Sequence, residues 1–303
     1  MEPFLISMII AATPFLFAGM GELVAERSGV LNLGVEGMML MGAVTAFAVA
    51  WSTGNSMLAI LAGAGAGAAM AFIFAFIALS LLANQAATGL ALTIFGIGAS
   101  GLIGQNFVGE ALVPLAKMNI PQLSDGTMLG RILFAHDSMV YLGLVMAGAV
   151  AWFLGFSRPG LALRAVGDNH TSAHALGLSV IRTRYAATLF GGAMAGLGGA
   201  YLSLAYTPLW GENMTAGRGW IALALVVFAT WKPMRLVAGA YLFALVTQLQ
   251  FYGQDWGWPI ASQFLAMAPY LATIVALVII SRNVNLTKAN APACIGQAFR
   301  AER

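Results

Sequence analysis

Met57-Leu58-Ala59-Ile60-Leu61-Ala62-Gly63-Ala64-Gly65-Ala66-Gly67-Ala68-Ala69-Met70-Ala71-Phe72-Ile73-Phe74-Ala75-Phe76-Ile77-Ala78-Leu79-Ser80-Leu81-Leu82-Ala83 contains no ionisable side chain. About 20 apolar residues in a helix cross the roughly 30 Å hydrocarbon core of a bilayer, so this run is long enough to cross once. Its glycines do not argue against a helix, because lipid offers no partner to a free backbone N–H or C=O and a single spanning segment must satisfy its own. Gly63 and Gly67 instead form a small-xxx-small pair, repeated at Gly192 and Gly196. Such pairs let helices approach closely, and we read both as packing inside a helix bundle.

Runs of the same character recur outward in both directions: 4–21, 31–51, 57–83, 86–107, 139–156, 185–204, 219–231, 236–251 and 260–280. That is about nine spans (8–10), of which 219–231 is short for a straight crossing. The expected fold is all-α, a polytopic transmembrane helical bundle forming one domain over 1–303. Approximate halves cover 1–108 and 137–281, with an outer loop at 108–138, a polar segment at 158–184 and a tail at 282–303. Composition agrees: 60% of residues are hydrophobic and 8% charged, against about 25% charged in soluble domains. A chain so poor in charge cannot cover a water-facing surface. Met1-Glu2-Pro3 has no basic region, so the first run reads as a retained span, not a signal peptide. Cys294 is the single cysteine, which excludes an intrachain disulfide.

The net charge of +3 reports topology, not nucleic-acid binding. Arg158, Arg164, Arg182 and Arg184 share one connection, Lys232 and Arg235 another, and Arg282, Lys288, Arg300 and Arg303 lie in the tail. With about nine spans all three regions fall on one side, which the positive-inside rule makes cytoplasmic. The N-terminus is then outside, with the loop 108–138. A short internal repeat supports two related halves: Gly34-Val35-Glu36-Gly37-Met38-Met39-Leu40 and Gly217-Arg218-Gly219-Trp220-Ile221-Ala222-Leu223-Ala224 each follow a small-residue helix and enter from opposite sides. Inverted repeats of this kind place transporter sites at their interface.

An ionised side chain at mid-bilayer costs at least about 2.5–3.5 kcal/mol, so polar residues inside the runs need reasons. Glu26 and Arg27 read as solvated or paired in a turn. Glu36 lies within the next apolar run, flanked by Gly34 and Gly37, and is either part of a structural pair or a lining of a solute path. Asn84, Gln85, Gln248 and Gln250 are further path candidates, although amides also hold helices together. Trp210, Trp220, Trp231, Trp256 and Trp258 fit an aromatic belt. There is no Gly-x-x-x-x-Gly-Lys-[Ser/Thr] phosphate loop. His170 and His174 have metal-ligand spacing, but only Asp168 is near, and no metal site is expected.

Two stretches carry a resemblance: Arg158-Pro159-Gly160-Leu161-Ala162-Leu163-Arg164-Ala165-Val166-Gly167-Asp168-Asn169, running on to Ala175-Leu176-Gly177-Leu178, and Gly21–Met41 with Glu36-Gly37 at its heart. With Met214–Ala224 they resemble the permeases of ABC transporters of the ribose and branched-chain amino-acid type. Ile120-Pro121-Gln122-Leu123-Ser124-Asp125 and Gly217–Ala224 look most like the simple-sugar and nucleoside branch. His170 departs from the pattern, since many relatives carry Pro there. The resemblance, from about Thr13 to Ser281, implies a membrane subunit of an importer with no enzymatic activity and no cofactor of its own. ATP would be used by a partner ATPase. The other implied partners are a second, larger permease, an extracytoplasmic substrate-binding protein and the plasma membrane bilayer; nucleic acid is not among them. The solute would be a nucleoside or simple sugar, and the alternative is a self-contained secondary transporter or channel.

The resemblance further implies that Arg164–Gly177 couples to the ATPase, with Arg164, Ala165, Val166, Gly167, Asp168, Asn169 and His170 as the contact. The residues themselves allow either that or a basic loop that only sets topology. Asp168 or Asn169 is placed to cap a short helix starting near His170.

Overall fold

The computed structural model describes residues 2–118, 128–257, 261–281 and 290–300. The loop piece 120–125, Trp258 and the tail residues Arg282, Lys288 and Arg303 lie outside the described residues. The helices are α1 (Glu2–Arg27), α2 (Val35–Thr53), α3 (Ser56–Ala75, continued by a π turn Phe76–Ser80), α4 (Gln85–Gly104), α5 (Met128–Phe134), α6 (Ser138–Phe156), α7 (Arg158–Asp168), α8 (His170–Ala175), α9 (Val180–Tyr201, continued by a π turn Leu202–Tyr206), α10 (Arg218–Phe228), α11 (Pro233–Asp255) and α12 (Ser262–Ser281). Local chemistry sets the starts. Asn55 accepts from the amides of Met57 and Leu58, Asp137 from Met139 and Val140, Ser157 from Gly160, and Asn169 from Ser172. Each satisfies donors that the first helical turn leaves unpaired.

Among the described residues seven helices are long and apolar enough to cross a membrane: Glu2–Arg27, Val35–Thr53, Ser56–Ser80, Gln85–Phe107, Ser138–Phe156, Val180–Tyr206 and Pro233–Asp255. α10 has 11 residues and is too short to cross by itself, and α12 adds a 20-residue helix. The expected span 219–231 is therefore a half-helix approached by irregular chain. The expected span 185–204 begins earlier, at Val180, so Arg182 and Arg184 belong to α9 and not to the connection before it.

α9 is the centre of the bundle, and small residues explain why. A Cβ built on Gly67 would lie 2.1 Å from the Gly192 carbonyl oxygen, and one on Gly196 would lie 2.3 Å from that of Gly63. The two pairs read from the sequence thus face each other across one α3–α9 seam. Gly42 of α2 meets Gly196 in the same way, and Gly21 of α1 meets Gly191. With little hydrophobic drive between helices in lipid, such backbone-to-backbone packing is a main source of association.

The two ends of the bundle differ. At one, Arg131 pairs with Glu2 at 2.6 Å. At the other, Arg27 donates through Nε and Nη2 to the Trp231 carbonyl at 3.2 and 3.1 Å. We call these the Glu2 end and the Arg27 end.

Candidate functional site

Between α1 and α2 the chain does not simply turn outside the bundle. Residues 28–34 fold back along α1, and three helices hold them. The Leu31 amide donates to Gln85 Oε1 (2.8 Å) and the Asn32 amide to Glu22 Oε1 (3.3 Å); the Leu33 carbonyl accepts from Thr93 Oγ1 (3.0 Å). At the root of the loop the fully buried Arg184 donates Nε to the Ser28 carbonyl at 3.2 Å. As a result α2 starts inside the bundle. Gly198 of α9 abuts the carbonyl of Pro14, near the middle of α1, and the adjacent Gly199 abuts Met39 of α2. Glu36, three residues before Met39, lies about 4.5 Å from that level.

α10 starts at the same level and runs the opposite way. Glu36, 2% exposed, accepts from Thr215 Oγ1 (2.5 Å) and the Gly217 amide (2.8 Å) on Oε1, and from the Gly219 amide (2.6 Å) on Oε2. From this meeting point α2 rises to Phe47, packed with Trp210 and Phe107, while α10 descends to Trp231 beside Arg27. Two helix N-termini, each carrying a partial positive charge, therefore point at one another with a carboxylate between them. A β-carbon on Gly219 would lie 2.7 Å from the Glu36 backbone, which is why glycine stands there. Irregular chain leads into α10, with Asn213 (φ 53°), Ala216 (φ 47°) and Gly217 (φ 83°) left-handed. Strained non-glycine residues of this kind cluster at functional sites. Arg218 opens the helix. Its Nη1 donates to the Met214 and Thr215 carbonyls, both at 3.1 Å, and its guanidinium lies 5.4 Å from the centre of the Tyr206 ring.

At the Arg27 end, α7 is amphipathic. Pro159, Ala162 and Leu163 face an apolar cavity of about 550 Å³, while Leu161, Arg164, Ala165 and Asp168 line a polar pocket of about 390 Å³ together with Arg27 and Asn290. Arg164 Nε has no hydrogen-bond partner among the described residues. Gly167 packs on the end of α1, where a Cβ would lie 2.1 Å from the Arg27 carbonyl oxygen. The tail residues 290–300 close over this region. The Cys294 amide donates to the Gly167 carbonyl (2.9 Å), the Gly296 amide to Gly29 (3.1 Å), and Arg184 Nη1 to the Gln297 carbonyl (2.8 Å). Phe299 meets the rings of His170 and His174 edge-on at 5.2 and 5.3 Å. His170 Nδ1 accepts from Arg184 Nη2 at 3.3 Å, because a guanidinium has no acceptor to offer. Burial and the Arg184 charge hold the His170 pKa below its ordinary value.

The sequence model of the family "branched-chain amino acid transport system / permease component" matches residues 4–281. The chain belongs to this permease family. It is similar to a putative glucose ABC transporter permease protein, TsgC13, of Haloferax volcanii, 39% identical and aligned over 96% of this chain and 95% of that one. The nucleoside ABC transporter permease protein NupC of Lactococcus lactis is 31% identical over 96% and 94% of the two chains, and the guanosine ABC transporter permease protein NupQ of Bacillus subtilis 32% over 93% of each. In fold it is similar to a putative metal-chelate type ABC transporter solved in an inward-facing conformation, with a TM-score of 0.53 and 15% identity, covering 91% of this chain and 85% of that one. The permease is thus a multi-pass plasma-membrane subunit of an ABC transporter, a transport subunit and not an enzyme, of a family that works with ATPase and substrate-binding components.

Against the sequence reading, the permease brings some candidates together and scatters others. Glu36 is at the half-helix junction. Asn84 is exposed and caps α4, while Gln85 is buried and holds the α1–α2 loop, both toward the Arg27 end. Gln248 is buried and Gln250 half-buried on α11, toward the Glu2 end where Tyr252 meets Ser7. The five do not form one cluster. Arg164, Ala165 and Asp168 share the polar pocket, Val166 is buried behind it, and of the two proposed caps Asn169 caps α8. Glu26 and Arg27 are paired, not solvated: Glu26 Oε2 accepts from Trp231 Nε1 at 2.5 Å. Trp210 and Trp231 are buried and do not belong to a lipid-facing belt; Trp256 is exposed at the end of α11, and Trp220 is exposed in the first turn of α10. Glu22 was not singled out from the sequence, Arg184 was read as part of a basic connection, and Arg218 only as part of a repeat unit. The signal that could have found Arg218 is a guanidinium inside a motif already singled out as unusual.

Proposed function

We propose that this permease imports a small neutral polar solute, a nucleoside or a simple sugar, as one half of a pore completed by a second, related permease. The observation that carries the importer reading is the α7–α8 pair, a short rigid polar unit welded to α1 through Gly167 and to the tail through Cys294. Its pocket of Arg27, Arg164 and Asp168 takes the ATPase. The Arg27 end is the cytoplasmic side, where basic residues collect, and the C-terminus lies there. A rigid element tied to several spans moves them as a body. The chain binds no cofactor; ATP is consumed by the ATPase. Glu36 holds the junction, and Asn84, Gln85, Gln248 and Gln250 contribute polar positions toward the two mouths of the path. The relatives that act on glucose and on nucleosides support the solute class.

The purified chain alone is expected neither to hydrolyse ATP nor to concentrate guanosine or glucose in liposomes. Both activities are expected when the ATPase, second permease and binding protein are added. Uptake by this polypeptide alone under a proton or sodium gradient would overturn the reading in favour of a self-contained transporter.

Cys294 reports orientation and tail docking together. It is 8% exposed, with Sγ 3.6 Å from the Asp168 carbonyl. A membrane-impermeant maleimide is expected to leave it untouched in intact cells, to label it slowly in inside-out vesicles, and to label it fast once the protein is denatured. Labelling of intact cells would reverse the orientation, and equal rates in native and denatured vesicles would undock the tail.

A further inference from the structure

The chain that leads into α10 cannot rest against lipid. It descends from the level of Trp210, which packs on Phe47, to the level of Glu36, about 16 Å along α2. Over that depth it is irregular. Glu212, Asn213 and Ala216 are exposed, and Arg218 is partly exposed. Non-helical backbone at membrane depth persists only where protein buries it or water lines it, and a guanidinium facing hydrocarbon is strongly disfavoured. The surface made by 212–218 therefore faces an aqueous space or a partner that encloses one.

Arg218 is also held in a fixed attitude. Two carbonyls, of Met214 and Thr215, bind Nη1, and the Tyr206 ring supports the guanidinium. Nε and Nη2 make no hydrogen bond among the described residues. No hydrogen bond or ion pair joins them to Glu36 among the described residues; its oxygens accept from Thr215, Gly217 and Gly219. Tyr206 reaches its place at the end of the π turn that closes α9, with the Thr207 amide bonded back to the Leu202 carbonyl at 2.9 Å. Such turns often occur at functional sites. The result is a planar fork of donors with one side anchored and the other open, at the depth where the starts of α2 and α10 meet.

We propose that Arg218 is a solute-contact residue on the wall of the translocation path, that Tyr206 is its positioning residue, and that the pair takes an uncharged polar ring compound rich in acceptors, a nucleobase or a sugar. A guanidinium donates and never accepts, so it selects carbonyl, ring-nitrogen or hydroxyl acceptors and repels cations. Its flat, weakly hydrated face also stacks on a planar base. A single such contact slows a passing solute without trapping it, which suits transit. The proposal rests on the permease reading above, and its test separates the two.

The test uses the complete importer in cells, with radiolabelled guanosine and radiolabelled glucose as probes at saturating concentration. Arg218→Gln is expected to lower maximal uptake of the transported probe about tenfold. Arg218→Lys, which keeps charge but not the fork, should fall between. Tyr206→Leu should lower uptake severalfold, while Tyr206→Phe, which keeps the ring, stays within twofold of the parent. A purely structural role would instead lower the amount of assembled importer in proportion to uptake. If Arg218→Gln fails to assemble, Tyr206→Leu against Tyr206→Phe decides. Separately, Asn213→Cys is expected to react with a water-soluble methanethiosulfonate from the outside, more slowly with the transported probe present; the parent chain, whose one thiol is Cys294, is the control. Parent uptake with unchanged uptake in Arg218→Gln and Tyr206→Leu, or an unreactive Asn213→Cys, overturns this inference alone. Parent uptake of neither probe overturns the solute assignment and this inference with it.

Discussion

Uptake is expected to fall at least tenfold in Glu36→Gln and to vanish in Glu36→Ala. Three donors, Thr215 Oγ1 and the amides of Gly217 and Gly219, converge on this buried carboxylate. The amide of glutamine keeps one acceptor oxygen and turns an NH₂ toward an N–H, and alanine leaves all three donors bare. A buried donor without a partner costs about 1–3 kcal/mol. The lost charge also sat between two helix N-termini, an arrangement worth up to about 2 kcal/mol in partly buried settings. Insertion should survive, since removing a charge eases burial in lipid. Uptake in cells, normalised to the variant found in the membrane fraction, measures the effect. Full transport by Glu36→Ala would mean α2 and α10 hold together without their shared acid.

Arg164→Glu and Gly167→Val are each expected to abolish uptake and to lose the ATPase on co-purification, by different routes. The valine side chain would start 2.1 Å from the Arg27 carbonyl oxygen and 3.2 Å from the Gly29 amide, backbone atoms that cannot swing aside. It must lift α7 from the end of α1 and break the bond from Cys294 to Gly167. Arg164→Glu leaves the packing alone. It places a second carboxylate one turn from Asp168 in the polar pocket, where like charges repel, and reverses the charge offered to the ATPase. Losing one partner of a desolvated charge pair costs about 2–5 kcal/mol. The two routes separate by thiol labelling: Cys294 should become reactive in Gly167→Val and stay slow in Arg164→Glu. Normal ATPase association and uptake in both variants would reduce α7 and α8 to a loop that sets topology.

How much of this was legible beforehand depended on whether a property is written along the chain or across it. The run 57–83 reads as a span because solubility in lipid is a sum over its own residues. Gly63, Gly67, Gly192 and Gly196 could be read as packing positions for the same reason, although nothing in their spacing says that they face each other. The likeness of Gly34–Leu40 to Gly217–Ala224 was visible. That the two units touch through Glu36 was not, since the contact joins residues 36 and 215–219. Arg184 looked like a loop residue because an arginine in an apolar run reads as the end of that run. Its partners, the carbonyls of Ser28 and Gln297, come from far along the chain and carry it inside. Asn84 was legible as a polar residue between two runs but not as the cap of α4, because a cap is recognised by where the helix starts. Trp210 and Trp231 looked interfacial because tryptophan in membrane proteins usually is; only the fold shows Glu26 waiting for the Trp231 indole.

That last pair gives α10 an unusual mounting. One glutamate, from α2, grips its first turn, and another, Glu26 from α1, grips the indole just past its last. The helix between them is about 16 Å long and cannot be compressed without breaking its own hydrogen bonds. It is a pushrod seated at both ends. A shift imposed on Trp231, whose carbonyl Arg27 also holds beside α7, arrives at Gly219 with nearly the same stroke, whereas a side-chain chain of equal length would absorb much of it.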